Sequence, residues 1–175
     1  MPEPLLSFLV SYMEDSLMKN LKHYIWIGFF FVLITGTISH FIYDWTGKNA
    51  LAGFFFPVNE SVREHMKLIF FPMLAFSLLT LPKTKEFYPC IFSALAAGTL
   101  IGTFLIPIVF YTYTGILGNH FLVLDLLTFV FCAAAAFYTV YKLSLSCKAK
   151  PYDSLLKILL LLVCIGFFLL TYALK

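Results

Sequence analysis

Asn59-Glu-Ser-Val-Arg-Glu-His-Met-Lys67 runs without a break into Leu68-Ile-Phe-Phe-Pro-Met-Leu-Ala-Phe-Ser-Leu-Leu-Thr-Leu81, and this junction decides how the chain is read. The second half is 14 residues without a charge. At about 1.5 Å per helical residue it covers about 21 Å, whereas a hydrocarbon core about 30 Å thick takes about 20 residues to cross. Completing the crossing draws Glu64, His65 and Lys67 below the membrane surface. A charge at the bilayer centre costs about 2.5–3.5 kcal/mol on insertion scales, so these side chains must face protein or water or find one another.

The rest of the chain agrees with a membrane setting. Of 175 residues, 61% are hydrophobic and 12% charged, against about 25% charged in soluble domains, and the mean hydropathy is +0.92. Five stretches are long enough to cross, at about 24–43, 59–81, 88–113, 121–143 and 155–174. Pro82, Pro89 and Pro151 fall at their ends, while Pro72 and Pro107 fall inside and predict kinks. Ala94, Gly98 and Gly102 form a small-residue stripe in the third span, and Ala133 to Ala136 offers a close approach in the fourth. Residues 1–20 place Leu5, Leu6, Leu9, Tyr12, Met13 and Leu17 roughly on one helical face, the pattern of an interfacial helix. Leu51 to Val58 is too short to cross and too apolar for a free loop, which predicts a re-entrant or interfacial lip. The expected fold is therefore all-α, a single polytopic transmembrane bundle over 1–175. With lysines scattered between apolar runs, the net charge of +3 reads as membrane orientation and leaves no nucleic-acid footprint.

Lysine placement predicts the orientation. Lys19, Lys22, Lys83, Lys85, Lys142, Lys148 and Lys150 all fall at one side, whereas the other holds Lys48, Arg63 and Lys67. Because cytoplasmic loops collect Lys and Arg, the N-terminus is expected inside and the C-terminus outside. Cys90, Cys132, Cys147 and Cys164 contain no CxxC pair, so neither a disulfide framework nor a thiolate metal site is expected.

The same topology gathers polar residues at one face. His40 and Asp44 lie at the outer end of the first span, Glu60, Glu64 and His65 at the outer start of the second, and His120 and Asp125 at the outer start of the fourth. Only His23 is opposite. Such a set can supply nitrogen and oxygen ligands to zinc, manganese or ferrous iron. His40, Asp44, His65, His120 and Asp125 are the candidate metal ligands, and Glu60, Glu64 and His65 the candidate catalytic groups. Taken singly, each has a plainer explanation: Asn59 as a helix cap, Glu64 with Lys67 as a helix-surface pair, Tyr43, Trp45 and Tyr113 as an aromatic belt. The spacing matches no motif with a fixed mechanism.

The strings His40-Phe-Ile-Tyr-Asp44-Trp, Pro57-Val-Asn-Glu-Ser-Val-Arg-Glu-His65-Met-Lys67 and Tyr113-Thr-Gly-Ile-Leu-Gly118, followed by Asp125, resemble a bacterial family of small polytopic membrane proteins classed as a domain of unknown function. The resemblance implies a bacterial cytoplasmic membrane protein and brings no activity, cofactor or catalytic residue. Three classes stay open on the residues alone. They are a membrane-embedded, metal-dependent hydrolase, a proton- or cation-coupled transporter, and a binding or assembly protein for a small-molecule, lipid or peptide ligand. A one-sided pocket under an apolar lip leans towards the hydrolase, since it can exclude water and perturb its ionisable groups.

Overall fold

A computed structural model describes the backbone of residues 3–173 and side chains from residue 20. Among the described residues every regular element is helical: α1 (Glu3–Trp45), α2 (Ala50–Phe55), α3 (Val62–His65), α4 (Lys67–Thr84), α5 (Ile91–Leu117), α6 (Leu122–Ser146) and, after a 3-10 turn at Lys150–Tyr152, α7 (Asp153–Ala173). Five segments are long and apolar enough to cross a membrane: Asn20–Trp45, Val62–Thr84, Ile91–Leu117, Leu122–Ser146 and Lys150–Ala173. They match the expected spans with ends shifted by a few residues. The N-terminal stretch is not a separate helix, because α1 is continuous from Glu3. The side chains that give it an amphipathic pattern lie outside the described residues.

α5 and α6 pack most intimately, for the reason the small residues predict. A Cβ at Gly98 would stand 2.8 Å from the Ala136 carbonyl oxygen, and one at Gly102 would stand 2.7 Å from the Ala136 Cβ. Hydrogen in place of a side chain is what lets the two backbones approach. Gly28 and Gly36 do the same for α1, against Phe76 and Phe137 and against the Leu68 carbonyl. The middle of the bundle is filled by Val32, Ile69, Phe70, Met73, Phe76, Ile106, Cys132, Phe137 and Val140. α7 stays peripheral, with only Phe167 and Thr171 buried.

Two contacts fix the ends. Tyr24 bonds Thr80 at 2.8 Å, and Lys67 reaches Thr171 at 2.7 Å. Tyr24, near the start of the first span, and Thr171, at the end of α7, therefore lie at opposite ends of the bundle, as five crossings require.

Contrary to expectation, Cys90 and Cys147 are joined as a disulfide across a sequence separation of 57, with Cα atoms 5.3 Å apart. The cysteine spacing carries no sign of it. It arises because α5 and α6 are antiparallel neighbours, which brings the N-terminal end of one to the C-terminal end of the other. Cys132 and Cys164 remain free thiols.

Candidate functional site

α1 carries His40 in its last turns and delivers the ring to the start of the second span. Between α2 and α3 the chain must turn sharply, and Asn59 does this locally: its side-chain oxygen accepts the Ser61 N–H at 3.0 Å, an Asx turn. Asn59 is thus a turn former, and Ser61 occupies the N-cap of α3. The turn leaves Glu60 facing two histidines. Its carboxylate oxygens lie 3.7 Å from His40 Nε2 and 3.4 Å from His65 Nε2, and the two imidazoles are 5.3 Å apart. One ligand atom from each of His40, Glu60 and His65 falls within 4.8 Å of the others.

The protonation of His65 follows from its partners. Nδ1 stands 2.9 Å from the Ser61 carbonyl oxygen, which only accepts, so Nδ1 carries the proton. In the neutral ring Nε2 then turns a lone pair towards a carboxylate. At 3.4 Å this is longer than the about 2.7–2.9 Å of a charge-assisted hydrogen bond. It falls in the about 3.3–3.6 Å range that separates two ligand atoms on one tetrahedral ion with bonds of about 2.0–2.2 Å, and the His40–Glu60 separation of 3.7 Å lies just outside it. The Ser61 carbonyl also has the position of the outer partner that orients a metal-ligating histidine. Among the described residues His40 has no such partner, and its Nδ1 is buried without a hydrogen bond.

Facing this trio across a cavity of about 400 Å³ is a second network. At the first turn of α6, Asp125 accepts from the Tyr113 hydroxyl of α5 and from His120 Nδ1 at 3.2 Å. Paired in this way, a neutral His120 carries its free lone pair on Nε2. Its acidic partner is also well placed against the partial positive charge of a helix N-terminus. His40, Glu60, His65, His120 and Asp125 all line the cavity, together with Val62, Leu68, Ile106, Phe110, Leu122, Thr128 and Phe129. Two histidines from the first and second spans and a third from the turn before α6 therefore meet in one space, as their sidedness in the sequence implies.

Two expected members stand apart. Asp44 is exposed at the end of α1 and does not line the cavity. Glu64 is 2% exposed and turned the other way, paired with Lys67 at 2.7 Å and accepting the Val58 N–H at 3.0 Å. Lys67 Nζ also donates to the Gly53 carbonyl at 2.9 Å and to Thr171, so all three of its protons are placed. The reason is the register of the helix start. Lys67 is one turn after Glu64, and both point towards α2 and α7 instead of α1 and α6. The lip follows them: Phe54 and Phe55 of α2 pack on Phe168, and Phe55 on Phe71, over the ion pair and not over the cavity.

Tyr113 joins this network through Asp125, although in the sequence it reads as part of an aromatic belt. Its separation of 12 residues from Asp125 across a short turn was the available signal, because antiparallel spans joined so closely place those positions side by side.

A family profile described as "Family of unknown function (DUF6512)" matches residues 13–174. Comparison with curated proteins and with solved structures returns no match.

Proposed function

The chain belongs to the DUF6512 family of unknown function, and from that premise we propose that it is a membrane-embedded hydrolase dependent on a divalent transition metal, zinc foremost, held by His40, Glu60 and His65. The observation that carries the reading is the Glu60–His65 separation of 3.4 Å with the His65 tautomer fixed by Ser61, a spacing that suits a shared ion better than a direct hydrogen bond. Three protein ligands leave a fourth position open, the pattern of catalytic sites rather than closed structural ones. The ion supplies Lewis-acid polarisation and activates water at neutral pH.

The chain's own residues supply the remainder. Glu60, 80% exposed at its side chain, can swing between ligand and base roles. His120, held by Asp125 and in turn by Tyr113, offers an imidazole across the cavity to take up and return a proton, as general acid–base catalysis requires. Below the cavity, Ile69, Met73, Phe76 and Phe137 close the core, which favours a site open at one end over a transport path. The lysine distribution supports a bacterial cytoplasmic membrane with the cavity at the extracytoplasmic face and the N-terminus inside.

The test is an ester hydrolysis assay on protein in nanodiscs, with and without a zinc chelator. Activity lost on chelation, restored by zinc and absent from His65→Ala supports the reading. A rate indifferent to chelation would contradict it.

A further inference from the structure

The cavity has two chemistries separated by depth. Its mouth carries the histidines, Glu60 and Asp125, whereas its inner wall is Leu68, Ile106, Phe129 and the buried Thr128. Ile106 lies 11 residues before the end of α5 and Phe129 lies 7 residues after the start of α6, so the apolar part reaches about 10–16 Å inward at about 1.5 Å per residue. Its volume of about 400 Å³ falls within the about 300–1,000 Å³ of small-molecule sites, whose apolar walls and few polar groups it shares. A water-soluble substrate would use the mouth alone. Among the described residues that line the cavity there is no Lys or Arg, while two carboxylates are present. A phosphate would find there none of the basic side chains that usually hold it, so only the ion itself would offset the Glu60 and Asp125 carboxylates, whereas a neutral ester or amide needs no such counter-charge.

We infer that the substrate is a lipid-like amphiphile carrying a neutral ester or amide, its apolar chain lodged between Leu68, Ile106 and Phe129 and its carbonyl beside His40, Glu60 and His65. The inference rests on the hydrolase reading above. Hydrolysis adds one water: its oxygen bonds to the carbonyl carbon and the C–O or C–N bond breaks. The proton taken up by His120 passes to the departing alkoxide or amine, leaving a carboxylic acid and an alcohol or amine. No oxidant or further reactant is consumed. The membrane setting suits this class, since an amphiphile already sorted at the interface presents its linkage at the depth of the mouth and its chain at the depth of the wall.

The test uses zinc-loaded protein in nanodiscs and the p-nitrophenyl esters of acetate, butyrate, octanoate and laurate, with p-nitrophenyl phosphate as the anionic arm. Longer chains also partition better into any bilayer, so the reading is the octanoate-to-acetate ratio of kcat/KM in wild type against two cavity variants. A buried methylene contributes up to about fourfold. Ile106→Trp, which fills the inner wall, should lower the ratio at least about tenfold while zinc content persists. Phe110→Ala, which opens the half-buried wall, should move the preferred chain towards laurate, and it carries the test if Ile106→Trp does not fold. Ratios unchanged in both variants, with zinc-dependent acetate hydrolysis intact, would overturn the substrate class and leave the hydrolase standing. So would preference for the phosphate. Zinc-loaded wild type inactive on every ester and on the matching anilides would remove the hydrolase and this inference with it.

Discussion

Breaking the Glu64–Lys67 pair tests whether these charges hold the fold or serve the site. Both side chains are almost fully enclosed, at 2% and 1% exposure. Glu64→Ala would leave the Lys67 ammonium with only the Gly53 carbonyl and the Thr171 hydroxyl, both neutral, and would strip the Val58 N–H of its acceptor. Removing one partner of a buried ion pair costs about 3–5 kcal/mol, because the other charge stays behind uncompensated. At about 1.4 kcal/mol per tenfold, the folded population falls about a hundredfold to several thousandfold relative to the unfolded. Lys67→Met should cost a similar amount. The double variant Glu64→Ala/Lys67→Met removes both charges together and should cost no more than either single change, because no uncompensated charge stays behind. The two single changes are therefore expected to be strongly non-additive, as for any pair sharing one network. Unfolding by SDS titration in mixed micelles measures all three proteins. Single variants within about 1 kcal/mol of wild type, or a double variant whose loss is the sum of the singles, would refute the reasoning. Because Glu64 lies outside the cavity, variants that still fold should bind zinc as wild type does under the proposed reading.

Gly98→Leu should reduce folded yield and thermal stability, since even its Cβ would meet the Ala136 carbonyl at 2.8 Å and Val140 at 2.5 Å; overpacking of this kind costs about 1–3 kcal/mol or more. Normal yield would mean that α5 and α6 do not pack at this point. Reduction, or Cys90→Ser, opens a closure of 57 residues worth at most about 4 kcal/mol by loop entropy, and less where inserted helices already restrict the unfolded chain. An unchanged melting temperature on reduction would show that the bond adds no stability. The same cysteines bear on orientation, because disulfides persist in oxidising compartments while lysine counting puts this end of the bundle in the cytoplasm. Single cysteines in place of Lys48 and Asn119 should react with an impermeant thiol reagent on intact cells, and those in place of Lys83 and Lys148 should not. The reverse pattern would place the disulfide outside and the cavity inside.

The fold was legible because it depends on one-dimensional quantities. Apolar length sets the spans, and small residues at four-residue spacing, such as Ala94, Gly98 and Gly102, mark the α5–α6 seam. The meeting of His40, His65 and His120 was legible as well, since strict alternation of spans puts all three at one end. What the sequence does not encode so openly is azimuth. Glu60 and Glu64 share a stripe on an ideal helix, yet the chain is in a turn at Glu60 and helical only from Val62, so one carboxylate faces the histidines and the other faces α7. Asp44 lies four residues from His40 on the same helix, yet it stays exposed and off the cavity. The Cys90–Cys147 pairing requires knowing that α5 and α6 are neighbours along their length, a property of the packing, whereas the short turn between Tyr113 and Asp125 leaves a signal in the chain that reads as an aromatic belt.

The most direct measurement is the metal content of purified protein after exposure to zinc and exhaustive washing, read by inductively coupled plasma mass spectrometry. If His40, Glu60 and His65 form one site, wild type should retain about one zinc per chain, as three protein ligands and an open position allow. His40→Ala, Glu60→Gln and His65→Ala should each lose most of it, while Asp44→Ala, lying outside the cavity, should keep it. Wild type without stoichiometric metal, or equal retention by the three ligand variants, would contradict the account.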